Sequence, residues 1–167
     1  FKCCGIMPEA KWIVERKKFK QEEQISFPPC PVQHWPPGTI TGYSDGGSKF
    51  SAIPTLRHSG CRLYMERVTE CSIRWPTEGP EDTTYAAEGQ GSLRFWWWVP
   101  KNQDAEIGID NKAVLDQTNA LILNPAINVS KWVNPDIWIL IAAVSRNLVS
   151  DLSTTASVYF GSHHTGF

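Results

Sequence analysis

Several groups of residues in this chain have side chains and spacings suited to chemistry. Arg16-Lys17-Lys18-Phe19-Lys20 sets cations beside an aromatic ring. Such a cluster can neutralise phosphates and stack on a base, so it points to RNA. Lys11 extends the same basic stretch. Glu15, Glu22 and Glu23 flank it, and a solvated helix face is the competing reading. Gly42-Tyr43-Ser44-Asp45-Gly46 fits the G-x-S-x-G pattern of a nucleophile elbow. An elbow needs a helix directly after the serine. Gly47-Ser48-Lys49-Phe50-Ser51 cannot start a firm one, so a glycine-rich loop is preferred. Cys30 with His34, and His58 with Cys61, stand at spacings that zinc ligands use. Cys30 falls among prolines and the pairs lack the layout of a finger, so two polar loops are preferred. Asn128-Val129-Ser130 is a glycosylation sequon inside a predicted strand, best explained by chance. Glu81-Asp82 lies in a polar loop with nothing to bury it. Gly89-Gln90-Gly91 enters a predicted strand, where a phosphate-binding loop would enter a helix. No catalytic residue, metal or cofactor is expected, and the chain reads as a non-enzyme.

The elements that carry these residues read as β. Phe95-Trp96-Trp97-Trp98 suits a strand better than a helix, because aromatic residues favour strands. Alternation sends Phe95, Trp97 and Val99 to one side and Trp96 and Trp98 to the other. Both faces of such a strand must then press on protein. Trp96 and Trp98 become candidates for a subunit interface. Further strands are predicted at 38–43, 69–75, 120–123, 127–133, 137–144 and 155–160. The last apolar stretch, Ile137 to Val144, reads as a strand buried on both faces. Only 109–116 hints at a helix inside this body. Long irregular connections favour a Greek-key or jelly-roll sandwich over a meander.

A length of 167 residues suits a single core, and 41% apolar with 20% charged residues is a globular balance. The net charge of −1 gives no overall pull toward nucleic acid, yet residues 1–20 carry +4 on balance. A basic end on a mildly acidic body suggests an anionic partner. Pro28, Pro29, Pro31, Pro36 and Pro37 forbid helix and central strand and mark an extended linker. Residues 1–27 then form a basic N-terminal arm, 28–37 a proline-rich linker and 38–167 the body. Five cysteines at irregular spacing argue against a disulfide scaffold. The longest apolar run, at 137–144, is too short to span a bilayer, so no membrane contact is expected.

The order of short motifs in the body resembles the coat proteins of small icosahedral plant RNA viruses, most nearly the tymovirus-like group. Leu56-Arg57-His58-Ser59, Glu70-Cys71-Ser72-Ile73, Trp98-Val99-Pro100-Lys101-Asn102, Asn134-Pro135-Asp136 and 155–161 carry the likeness. The resemblance implies an all-β fold, an eight-stranded antiparallel jelly-roll sandwich with a short arm. It implies self-assembly of many copies into an icosahedral capsid, genomic RNA as the enclosed partner, and residence in the virion. On that reading Lys11, Arg16, Lys17, Lys18 and Lys20 meet RNA, and Trp96 and Trp98 are covered by neighbouring subunits. The alternative is a lectin-like sandwich whose tryptophans stack on sugar.

Overall fold

The computed structural model describes residues 18, 20, 23–50, 52–53, 57–149 and 155–160. Strands β1 (Ile40–Lys49), β2 (His58–Met65) and β3 (Ile73–Pro76) come first, with a 3₁₀ turn at Thr69–Cys71. Helix α1 (Thr84–Trp98), strand β4 (Ala105–Ile109), helices α2 (Lys112–Leu123) and α3 (Pro135–Val149), and strand β5 (Ala156–Phe160) follow. The five strands form one sheet in the order β3-β2-β1-β4-β5. β2 runs antiparallel to β1 and β3, whereas β4 runs parallel to β1 and β5. The fold is therefore mixed α/β. This corrects the all-β expectation: parallel strand pairs and three long helices have no place in an antiparallel jelly roll.

The correction has a local cause. Residues 92–98 are the second half of α1 and not a strand. Thr83 caps the helix by accepting the Ala86 amide at 3.0 Å, and Ala86-Ala87 propagate it. Val99 takes extended backbone and Pro100 follows, which ends it. Every residue from 86 to 96 is buried. The helix has the sheet on one side and α2 and α3 on the other, so it has no polar face. A helix enclosed all round loses the 3.6-residue stripe that would reveal it in a sequence. Burial decides over the strand preference of Trp and Phe. Phe95 and Trp96 are fully enclosed, while Trp97 is 45% exposed and meets Phe27 edge-on.

α3 replaces the strand expected at 137–144. Pro135 fits a first helical turn, where its missing amide costs nothing, and Asp136 complements the positive helix end. Ile137, Trp138, Ile141, Ala142, Ser145 and Leu148 are buried at helical spacing, with Ile139 and Ala143 outside. The strand expected at 120–123 is the last turn of α2, and 127–133 is a run of turns. The strand expected at 155–160 is β5.

Residues 28–37 carry no helix or strand and run against the domain. The Trp98 indole donates to the Pro28 carbonyl at 3.0 Å, and Cys30, Val32 and Trp35 pack on the core.

α1 lies unusually close to β1, and glycines allow it. A Cβ on Gly46 would stand 2.7 Å from the Glu88 amide nitrogen, and one on Gly91 would stand 2.7 Å from Ser44 Cβ. Residues 40, 42, 44 and 46 of β1 therefore face α1, and 41, 43, 45, 47 and 49 face away. The apolar residues of β4, Ala105, Ile107 and Ile109, join the same core as α1 and α2. Among the described residues the helices thus pack on one face of the sheet, and the other face carries polar side chains.

Candidate active site

The stretch at 42–46, expected as a glycine-rich loop and not an elbow, is the middle of β1, and its residues have other work. Gly42 and Gly46 leave room for α1. Ser44 is buried against the helix, and its hydroxyl donates to Glu88 Oε2 at 3.3 Å. The residue of the pattern that reaches solvent is Asp45, which points to the opposite face.

Asp45 stands where two parallel strands part. Ser44 pairs with Ile109, the last residue of β4, and Asp110 follows directly. β1 continues for five residues beyond that pair, so among the described residues no strand pairs with its β4 side from residue 45 onward. Even-numbered amides of β1 point toward β4, as the Ile40 amide shows by donating to Asp104 O. The Gly46 amide is the donor that β4 no longer reaches. Glu88, from the first half of α1, takes it through Oε1 at 2.8 Å. A carboxylate of the helix thus closes the orphaned edge of the sheet. Ligands of open α/β sheets gather at such carboxyl ends of strands, where connections diverge.

One carboxylate oxygen from each of Asp45, Glu88 and Asp110 lies within 4.8 Å of the other two. Asp45 and Asp110 are exposed, and Glu88 is 1% exposed. Burial pushes the Glu88 carboxyl up to about 9, and the hydrogen bond and charge of Asp110 and the charge of Asp45 add to it. The Gly46 amide opposes the rise but does not reverse it. Three carboxylates this close need a positive charge among them, either a shared proton or a cation. The donors are all hard oxygens on rigid elements, which is the set that Mg²⁺ or Mn²⁺ takes. The residues present fit a divalent cation. Arg62 lies 3.7 Å from Asp45, but both side chains are well exposed and the pair is weak.

Of the other residues singled out from the sequence, those that the structure describes lie away from this cluster. Lys11, Arg16 and Lys17 lie outside the described residues. Lys18 is exposed, and Lys20 pairs with Glu23 at 2.8 Å and also donates to the Thr77 carbonyl. Trp96 and Trp98 are 1% and 6% exposed within this single chain, so their burial needs no second copy. Cys30 stands 3.9 Å from Cys71, while Cys61 is buried beside Thr77 and Gln90; the two Cys–His pairs do not converge. Asp82 accepts both the amide and the hydroxyl of Ser59, at 2.8 and 2.9 Å, and ties the loop before α1 to β2. Sequence reasoning misses Glu88 and Asp110 and places Asp45 in a glycine-rich loop. The available signal was an aspartate at an outward position of a strand, directly before two glycines.

The fold and site define a class: a mixed α/β domain with three carboxylates gathered where β4 ends beside its parallel neighbour β1. No family model and no curated protein matches the sequence. The fold is similar to the solution structure of the PFV RNase H domain, at 18% identity and a TM-score of 0.45, over 75% of this chain and 81% of that one. It is also similar to the crystal structure of the Prototype Foamy Virus protease-reverse transcriptase, at 18% identity and a TM-score of 0.47. That match covers 77% of this chain and 18% of the longer one.

The coat-protein reading is corrected at this point. It required an all-β sandwich, and its most specific motif, 98–102, is the end of a helix and a turn. The lectin-like alternative falls with the sandwich. The expectation of a chain without catalytic machinery is corrected by the acidic cluster.

Proposed function

We propose that this domain is a divalent-cation-dependent nuclease that hydrolyses phosphodiester bonds at Asp45, Glu88 and Asp110. The observation that carries the reading is the convergence of three carboxylates from β1, α1 and the end of β4. Asp45, Glu88 and Asp110 would hold such a cation, which would supply Lewis-acid stabilisation of the charge that develops on the phosphoryl group. The chain's own residues do the rest. Asp45 and Asp110 present oxygens to solvent on the open side, where a long polymer can approach. Glu88 is held from behind by Gly46 and Ser44, so its carboxylate is aimed before any ligand arrives. Without a cation the cluster repels a phosphate, so hydrolysis requires Mg²⁺ or Mn²⁺ and stops in chelator.

The test is cleavage of end-labelled RNA–DNA hybrid, duplex DNA and single-stranded RNA in Mg²⁺, Mn²⁺ and EDTA. At least one substrate is cut in a metal-dependent way, and Asp45→Asn or Asp110→Asn lowers the rate at least 100-fold, the scale of lost transition-state charge stabilisation. Metal-independent cutting, or full activity in both variants, refutes the reading.

A further inference from the structure

The open face of the sheet carries a second feature beside the carboxylates. Gly47 pairs with Gly60 across β1 and β2, and Gly60 pairs with Pro76 across β2 and β3. These three positions share the outer face and put no long side chain on it. Space is open where a Gly47 side chain would stand. The result is a trough across three strands, part of a concavity of about 670 Å³. Its walls are the cross-strand rows on either side. Lys49 and His58 form one pair, while Asp45, Arg62 and Arg74 form the other row. The rows are four residues apart on β1, roughly 13 Å at strand rise, which leaves room for one sugar–phosphate strand.

The charge on those walls is strongly one-sided. Asp45 is the acidic group among the lining residues, and it lies at the end nearest Asp110 and Glu88. Arg74 and Lys49 are exposed and have no ion-pair partner among the described residues. Arg62 sits opposite Asp45 in the same row, 3.7 Å from its carboxylate. A floor of small residues with cations along both sides suits a polyanionic backbone.

We infer that the trough floored by Gly47, Gly60 and Pro76 seats the nucleic-acid backbone that flanks the phosphodiester held at the carboxylates. This rests on the nuclease reading for the identity of the polymer. Arg74 and Arg62 neutralise phosphates on one side, and Lys49 does so on the other. The strand leaves the carboxylates across β1, β2 and β3, toward the β3 edge of the sheet. The contacts are to backbone, so they add affinity without base preference.

Two variants probe the trough by different means. Arg74→Glu reverses a wall charge two strands away from the carboxylates. Gly47→Leu fills the floor, at a residue with ordinary backbone angles and open space for a side chain. Fluorescence anisotropy of a labelled RNA–DNA hybrid, with Ca²⁺ in place of Mg²⁺, gives Kd as a function of salt. Thermal melting checks that each variant is folded. Arg74→Glu weakens binding about tenfold at low salt and lowers the slope of log Kd against log salt by about 1, the signature of a lost phosphate contact. Gly47→Leu weakens binding by a similar factor. If both folded variants bind as the wild type does while the wild type cleaves, the trough is overturned and the nuclease reading stands. If binding depends on Arg74 and Gly47 but no substrate is cut, the trough stands and the nuclease reading falls. A wild type that binds no nucleic acid ends both.

Discussion

Replacing Glu88 by Gln separates the fold from the cation site, because the amide resembles the protonated acid in shape. Glu88 is 1% exposed, and its carboxyl is pushed up to about 9 by burial and by Asp110. In the unfolded chain the same group titrates near 4.3. Between those values the folded protein holds a proton that the unfolded chain has released, so stability falls as pH rises. With no divalent cation the loss from pH 5 to pH 7 is on the order of 2–3 kcal/mol for this one group, from about 1.4 kcal/mol per unit. The contribution is full below the unfolded value and is lost as pH passes through about 9. Glu88→Gln carries no titrating group there, so its urea midpoint varies less with pH across the window. A cation acts in the opposite sense in the wild type, favouring the ionised carboxylate. At a hundredfold excess over Kd it stabilises by about 2.7 kcal/mol. Glu88→Gln loses most of that gain. The assay is urea unfolding at pH 5, 6, 7 and 8, with EDTA and with saturating Mg²⁺. An unchanged pH slope in the variant, or a Mg²⁺ gain equal to that of the wild type, refutes the placement of Glu88 as a buried, proton-holding cation ligand.

Other outcomes follow from the same packing. Gly46→Ala puts a Cβ 2.7 Å from the Glu88 amide, forces α1 off β1, and costs about 1–3 kcal/mol in urea denaturation with loss of cleavage. A variant as stable and active as the wild type contradicts the close approach. Phe95→Ala empties a fully buried ring site facing Gly42 and lowers stability by about 3–5 kcal/mol. Arg94 lies 4.2 Å from the centre of the Trp75 ring and 3.9 Å from Glu78, nearly buried. Arg94→Ala strips the cation from the Trp75 ring and leaves Glu78 with only its Ser26 hydrogen bonds, and costs about 2–3 kcal/mol by the same measurement. Burial pushes the Cys61 and Cys71 thiols up to about 12, so both resist alkylation at pH 8 in the native protein and react once it is unfolded. Peptide mapping that finds rapid native labelling of either contradicts that burial.

How far the sequence reveals this fold depends on which elements see water. β5 alternates and meets solvent on one side, and its strand at 155–160 is readable. α2 shows part of itself through the 109–116 stretch, where Asn111 caps the Ala113 and Val114 amides. α1 buries its polar residues Glu88, Gln90, Ser92 and Arg94 along with its apolar ones, so no polar face marks it, and four aromatic residues in a row outweigh the Thr83 cap and the two alanines. α3 was legible in principle from Pro135 and Asp136, but its apolar run masks the period. Once 92–100 and 137–144 are taken as strands, an all-β body follows, and the coat-protein likeness with it. The site was less legible still. Asp45, Glu88 and Asp110 lie far apart in the chain, and only the parallel pairing of β1 with β4, with α1 packed against β1, brings them together. The functional signal sat in ordinary residues: an outward aspartate, a helix glutamate and glycines that let the helix approach.

The most direct test is a crystal of the protein soaked in Mn²⁺ and measured at the manganese absorption edge. An anomalous peak among Asp45, Glu88 and Asp110, about 2 Å from their oxygens, is the expected result, and it disappears in Asp45→Asn crystals. No peak at that position, or an undiminished peak in the variant, contradicts the claim that these carboxylates are gathered to hold a catalytic cation.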